Sequence, residues 1–363
     1  MQPLKFKDSL LKNKVIIFDC ERMKFPFTGL YHFCKELGTA LKKQLPQHYN
    51  LGFYVPKPEE GVFGPKSKYF VQSSLHKLLK FQLPACDIWH CTYQGSDYLP
   101  MRNAKTKIVA TVHDLNFLHQ GKSLLKQKAY LLKTQRLIDR ADKIVAISNF
   151  VKEEIETNLN TKGKEVTVIY NGRNKPPGIV FRKPPGNFDR PFFFSVGTIT
   201  AKKNFHVLPA LLLKNDHDLI IAGITQNETY KKKIIDEAER LGVGDRVRLL
   251  GAVPETEKYW LMQHCAAFAF PSLAEGFGLP VIEAMQMGTP VLLSRHTSLP
   301  EIGGPHALFF DDLTEAGISS LAQKFLTSNV SQQKRNELIA WAEQFDWEKS
   351  AKAYADIYNS LLT

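Results

Sequence analysis

The sequence predicts an α/β chain built as two doubly wound parallel sheets. Short apolar runs of strand length alternate with helical patterns along nearly the whole chain. A strand, a glycine turn and a helix follow one another twice, around Gly29 and around Gly197, as in phosphate-binding units of such sheets. Between the halves lies RNKPPGIVFRKPPGNFDRP, with five prolines and no periodicity, which marks a linker. These features place one domain at residues 1–172, the linker at 173–190, a second domain at 191–345 and a terminal helix at 346–363.

In the first domain, Lys14 to Phe18 is the first strand, and a helical pattern runs from Tyr31 to about Lys43. Leu51–Val55 and Asp87–Cys91 read as further strands, with a helix expected near residues 67–80 between them. Lys107–Val112 is a strand that ends in His113-Asp114-Leu115. A histidine at the carboxyl end of a strand stands where open α/β sheets bind ligands, though a satisfied core histidine fits equally. Residues 122–141 form a helix with Lys122, Lys126, Lys133, Arg136 and Arg140 on one face, which reads by default as a solvated basic face rather than a binding face, and Leu124, Leu131 and Ile138 on another. Lys143–Ile147 is a strand, Ser148 starts a helix that ends near Leu159, and Val166–Tyr170 closes the domain.

The second domain opens with the strand Pro191–Val196 and the loop Gly197-Thr198-Ile199-Thr200-Ala201-Lys202-Lys203-Asn204. Strands at Asp218–Ala222, Val247–Leu250 and Ala266–Phe270 alternate with helices near residues 228–240 and 255–264. After the last of these strands, Glu275-Gly276-Phe277-Gly278-Leu279 forms a tight turn, and Pro280 suits the first helical position. Neither Gly278 nor Leu279 offers a capping oxygen, so the first amides of that helix are left open to an anion. Glu275 and Glu283, eight positions apart, each suit a vicinal diol, since a carboxylate accepts two hydrogen bonds at once. Taken alone, they also suit a surface loop residue and a helix-dipole partner. Asp311-Asp312 follows a late strand and reads as a helix cap.

Five scattered cysteines without a CxxC pair suit a reducing compartment and argue against a disulfide framework or a zinc site. Cys86, His90 and Cys91 lack a fourth ligand and read as core residues. The lysine-bearing N-terminus has no continuous apolar segment for a signal peptide, and no run reaches the roughly 20 residues of a membrane span. The net charge of +12 is uneven: residues 1–185 hold 31 Lys and Arg against 15 Asp and Glu, net +16, and residues 186–363 hold 17 against 21, net −4. Only the first half is then expected to meet an anionic partner. Without a nucleic-acid motif, that partner is a membrane surface or a phosphate-bearing acceptor.

The stretch PSLAEGFGLPVIEAMQMGTPVLLS, residues 271–294, resembles the donor segment of retaining glycosyltransferases of the GT-B architecture, family 4 (group 1), in a bacterial mannosyltransferase-like branch. VHDL at residues 112–115 and VGTITAKKN at residues 196–204 extend the resemblance over nearly the whole chain. It implies two Rossmann-like domains that face each other across a cleft and bind a nucleoside-diphosphate sugar, GDP-mannose or a UDP-sugar. By this resemblance His113 lies beside the donor sugar, Glu275 contacts it, and Glu283 holds the ribose hydroxyls. Lys203 pairs with the leaving diphosphate, and Lys202 supplies a second charge because Thr198 stands where the family often has a basic residue. Without the resemblance, both lysines read as solvated loop residues. The amides of Gly276, Phe277, Gly278 and Leu279 face sugar and phosphate, Gly29 and Leu30 approach the phosphate and acceptor, and the backbone near Val253 reads the base.

The implied reaction moves a mannose- or glucose-type hexose to a hydroxyl of a saccharide or lipid-linked acceptor, with retention, in cell-surface polysaccharide or glycolipid synthesis. No metal or other cofactor is expected. The expected location is cytoplasmic, peripheral on the inner face of the plasma membrane. The alternatives are an epimerase or hydrolase of the same architecture and a non-catalytic nucleotide-sugar-binding protein.

Overall fold

A computed structural model describes residues 13–26, 28–101, 105–174, 176, 178 and 180–363. Seven strands form the first sheet: β1 (Lys14–Asp19), β2 (Tyr49–Val55), β3 (Lys68–Val71), β4 (Ile88–Cys91), β5 (Lys107–Val112), β6 (Lys143–Ala146) and β7 (Val166–Val168). Six form the second: β8 (Phe192–Val196), β9 (Asp218–Ala222), β10 (Val247–Gly251), β11 (Ala267–Phe270), β12 (Val291–Leu293) and β13 (Leu308–Phe309). The helices are α1 (Gly29–Gln44), α2 (Leu124–Arg140), α3 (Asn149–Asn158), α4 (Glu228–Arg240), α5 (Glu255–His264), α6 (Leu279–Met285), α7 (Leu299–Gly303), α8 (Glu315–Thr327), α9 (Gln332–Ala342) and α10 (Trp347–Leu362).

The strand orders are β3-β2-β1-β4-β5-β6-β7 and β10-β9-β8-β11-β12-β13, with every pair parallel. A parallel sheet covered on both faces needs strands that are apolar on both sides, and the all-buried runs of β4 and β11 meet that demand. In each sheet the order reverses next to the first strand, between β1 and β4 and between β8 and β11. Ile16 is in register with Ile88, and Phe194 with Phe268. A crevice opens at the carboxyl ends of the strands at such a reversal, because the flanking connections leave toward opposite faces. The two crevices hold the loops that carry Gly29, Lys203 and Glu275.

Helix α10 returns to the first sheet. Tyr358 Oη lies 2.6 Å from His90 Nδ1, and Tyr354 Oη lies 2.8 Å from Thr111 Oγ1. Burial pushes the His90 imidazole down to about 3, so its ring is a neutral member of this buried network. His90 and Cys91 are buried core residues, and Cys86 is partly buried with a free thiol.

Three expectations need correction. No helix spans residues 67–80. Lys68–Val71 is edge strand β3 beside β2, and short 3-10 turns follow at Ser74–Lys77 and Lys80–Gln82. The β-branched and aromatic residues Tyr69, Phe70 and Val71 favour the pleated state, which outweighs the leucine spacing further on. On α2 the buried stripe is Thr134, Leu137 and Ile138, while Leu124 is 74% exposed. Near Asp312 the helix cap is Thr314, which accepts from the Gly317 amide, and Asp312 braces Thr314 by accepting its amide at 2.8 Å. Among the described residues, no helix is long and apolar enough to cross a membrane.

Candidate active site

The loop after β8 ends in a single 3-10 turn, Ala201–Lys203, which folds Lys203 inward. Lys203 Nζ lies 2.6 Å from Glu275 Oε1 and 4.6 Å from the centre of the Phe270 ring. Ser272 Oγ donates to the same carboxylate oxygen at 2.6 Å. The backbone carbonyl of Lys202 accepts from the Leu273 amide at 2.8 Å, which zips the β8 loop to the turn after β11. Burial pulls the Lys203 ammonium below its usual value, Glu275 opposes this, and Lys202 adds to it. Burial alone would raise Glu275, but the Lys203 and Lys202 charges outweigh it and hold the carboxyl below the usual range.

The turn itself is held from behind. The Glu275 amide donates to Thr297 Oγ1 at 2.9 Å, and the single Ser298 hydroxyl proton is shared between the carbonyls of Glu275 and Phe277, each 3.0 Å from Oγ. Gly278, at φ 111°, is the N-cap of α6, a left-handed conformation that favours glycine, and it supplies no side-chain cap. The helix begins at Leu279, one residue before the expected Pro280. Among the described residues, the amides of Gly276, Phe277, Gly278 and Leu279 donate no hydrogen bond. They point partial positive charge into the crevice.

Glu283 is 3% exposed on α6. Asn174 Nδ2 donates to its Oε1 at 2.6 Å, and Lys258 Nζ donates to its Oε2 at 3.0 Å. Lys258 also pairs with Glu255 at 2.8 Å. Burial would lower Lys258, but the Glu283 and Glu255 carboxylates more than offset it and raise the ammonium above its usual value. The Oδ1 atoms of Asn171 and Asn174 are buried without a partner among the described residues, and both residues line the same crevice. Sequence reasoning missed Asn174 and Lys258. The only local signal was the three-residue spacing of Glu255 and Lys258 on α5, which also suits an ordinary surface pair.

The first domain contributes the end of β5. His113 is buried, and its ring packs edge-on against Phe33 at 4.5 Å. Its Nε2 lies 2.9 Å from the Thr92 carbonyl. A carbonyl only accepts, so Nε2 carries the proton and Nδ1 is left as an acceptor. Burial lowers the imidazole to about 4, which keeps it neutral near pH 7. Asp114 fixes the loop by accepting the Asn116 amide at 3.0 Å.

The two domains meet at the turn. Ser148, the N-cap of α3, donates to the Gly276 carbonyl at 2.8 Å. A Cβ at Gly276 would stand 1.9 Å from the His113 carbonyl, so only glycine permits this approach. Gly29, His113, Thr198, Lys202, Lys203, Val253, Glu275, Gly276, Phe277, Gly278, Leu279 and Glu283 all line one cleft of about 480 Å³ between the sheets. Leu30 lines it as well. A cleft of that size suits a molecule of nucleotide-sugar dimensions.

The "Glycosyl transferases group 1" family matches residues 180–345, and "Glycosyltransferase Family 4" matches residues 39–175. The chain belongs to this family of glycosyltransferases. It is 25% identical to O-antigen chain mannosyltransferase B of Escherichia coli over 95% of its own length and 100% of the relative's. It is 27% identical to the longer serotype-specific mannosyltransferase WbdA of Escherichia coli over 73% of its own length, which spans 35% of WbdA. Among solved structures, sucrose-phosphate synthase from Thermosynechococcus elongatus has the same fold, with a TM-score of 0.78 at 18% identity over 96% of this chain and 99% of that one. HepE from Anabaena, solved in complex with UDP-glucose, aligns with a TM-score of 0.70 at 18% identity over 96% of this chain and 100% of that one. The two sheets and the cleft between them are thus a GT-B glycosyltransferase fold.

Proposed function

We propose that this glycosyltransferase moves a mannose- or glucose-type hexose from a nucleoside-diphosphate donor to a hydroxyl of a saccharide or lipid-linked acceptor, with retention, in cell-surface polysaccharide synthesis. The observation that carries this reading is the buried Lys203–Glu275 pair set beside four amides with no partner among the described residues, in a cleft between two domains. The mannosyltransferase relatives favour mannose, and the neighbour solved with UDP-glucose keeps glucose in view.

In this reading the diphosphate sits against Lys203, Lys202 and the amides that precede α6. These groups are fixed before the reaction, so they stabilise the charge that develops on the leaving group without reorganising. The acceptor oxygen forms its bond to the anomeric carbon on the face from which the diphosphate departs. The carbon–oxygen bond to phosphate breaks with its electron pair going to the phosphate, and the acceptor proton passes to a phosphate oxygen. Glu275 orients the sugar hydroxyls, and His113 offers Nδ1 to another. Glu283 binds the ribose diol, and the backbone at Val253 reads the base. The positive groups take the place of a divalent cation, so turnover needs no metal. The excess of basic residues in the first half supports an acceptor at an anionic membrane face.

The test is turnover of GDP-mannose and UDP-glucose with and without a saccharide or lipid-linked acceptor, with the product's anomeric configuration read by NMR. Acceptor-dependent release of nucleoside diphosphate and a retained configuration are expected. Full-rate consumption without acceptor would show an epimerase or hydrolase, and binding without any turnover would show a non-catalytic protein.

A further inference from the structure

We infer that the first domain seats on an anionic lipid bilayer by inserting two clusters of exposed apolar side chains, Leu75, Leu78 and Phe81 from the β3–β4 connection and Leu124, Leu125 and Leu132 from α2. This rests on the proposed membrane-facing acceptor for the identity of the surface, and it adds how the surface is held.

Twelve large apolar side chains are left exposed among the described residues, and ten of them precede residue 171. Only Ile235 belongs to the helices of the second sheet. Exposed apolar area and positive charge therefore fall on the same domain. Leu78 is 84% exposed and Leu125 is 81% exposed, which removes any structural role in the core. The two clusters adjoin through one loop: Lys77 Nζ lies 5.3 Å above the Tyr98 ring, and Lys133 Nζ pairs with Asp97 at 3.0 Å. The α2 cluster follows in the chain the loop that carries His113, a residue of the cleft.

The partner's chemistry follows from what is mixed with the leucines. Lys77, Lys126 and Lys128 are exposed within or beside the two clusters. Lysine is depleted from the cores of protein–protein interfaces. Lysine interleaved with leucine and phenylalanine fits the boundary between lipid headgroups and acyl chains, where the ammonium snorkels to phosphate and the apolar chain enters. Charge alone gives attraction that salt screens, whereas inserted side chains give attraction that salt leaves in place.

Co-sedimentation of the full chain with phosphatidylcholine vesicles, with and without phosphatidylglycerol, tests this at about 0.1 M and about 1 M salt. The wild type should bind the anionic vesicles at low salt and keep a measurable part of that binding at high salt. Leu78→Ser with Phe81→Ser, and separately Leu124→Ser with Leu125→Ser, should each lower binding about 100-fold, roughly tenfold per side chain. Thermal unfolding and nucleotide affinity should be unchanged, because these side chains touch neither the core nor the cleft. Lys126→Glu with Lys128→Glu should remove the salt-sensitive part alone. If the wild type binds at low salt and both apolar variants bind equally well, insertion is wrong and the electrostatic reading stands. If the wild type binds no vesicle at low salt, both fail. Self-association that the apolar variants abolish, without vesicle binding, would assign the patch to a second copy of the chain and overturn the lipid proposal.

Discussion

Lys203 and Lys258 are both buried against a cleft carboxylate, yet their surroundings shift the two ammoniums in opposite directions. Lys203 faces one carboxylate, Glu275, with a second cation, Lys202, nearby. Burial lowers its ammonium, and a single carboxylate does not restore it. Lys258 faces two carboxylates, Glu283 and Glu255, which overcome burial and raise it. At the Lys203 end, Lys202, Lys203 and the amides before α6 face Glu275 and Asp114, whereas at the Lys258 end two carboxylates face one ammonium. A nucleoside diphosphate has the matching polarity, with phosphates at one end and ribose hydroxyl donors at the other. Contacts at the positive end strengthen as charge develops on the leaving group, whereas contacts at the negative end bind ground state and transition state alike. The comparison thus assigns turnover to one lysine–glutamate pair and affinity to the other.

The largest break should come at the positive end. Lys203→Ala should lower kcat about 100-fold or more at saturating donor, as expected for loss of a preorganised charge at the leaving group. Steady-state kinetics checks this, with thermal unfolding as a control because the change leaves Glu275 buried without its ion pair. Glu283→Ala should act differently, weakening donor binding about 10- to 150-fold through lost charge-assisted bonds of roughly 1.5–3 kcal/mol. Calorimetry with the nucleoside diphosphate reads this directly, and an unchanged dissociation constant would sink the assignment. Lys202→Ala should cost only about tenfold in kcat, at the low end for one charge-assisted contact, because its side chain is half-exposed. Equal, mild effects at Lys202 and Lys203 would erase the distinction between them.

Two smaller effects sharpen the picture. His113 titrates at about 4, lowered by burial, so it should contribute no acid limb to kcat/KM near the ordinary histidine value of about 6.5. A limb there that disappears in His113→Gln would contradict the buried, neutral ring. Chelation of divalent metal should leave turnover unchanged, since Lys203, Lys202 and the amides supply the positive charge. Full loss in chelator, restored by magnesium or manganese, would oppose this.

Much of the fold was legible because its signals are local. Helices α4 and α5 follow the expected ranges because their periodic stretches are bounded by Asn227 and Pro254. The exposure of Leu124 was not legible, because periodicity shows which residues share a face but not whether that face meets a partner. In the site, the glycine turn and both glutamates stand in one continuous stretch of sequence. Asn174 reaches Glu283 across 109 positions, and Ser148 reaches Gly276 across 128. Such pairings join segments far apart in the chain that meet only in the fold, and no spacing within one segment encodes them. Thr297 and Ser298 escaped for the same reason: they brace the Glu275 turn from the far side of β12.

The division of the site into a phosphate end and a ribose end is tested most directly by calorimetric titration of the wild type, Lys203→Ala and Glu283→Ala with GDP, UDP and their 2′-deoxy analogues. The wild type should prefer the ribonucleotide of whichever base it binds by about tenfold or more, the value of a lost charge-assisted hydrogen bond. Lys203→Ala should keep that preference while binding both forms more weakly, and Glu283→Ala should lose the preference altogether. A Glu283→Ala protein that still favours the ribonucleotide as strongly as the wild type would contradict the assignment.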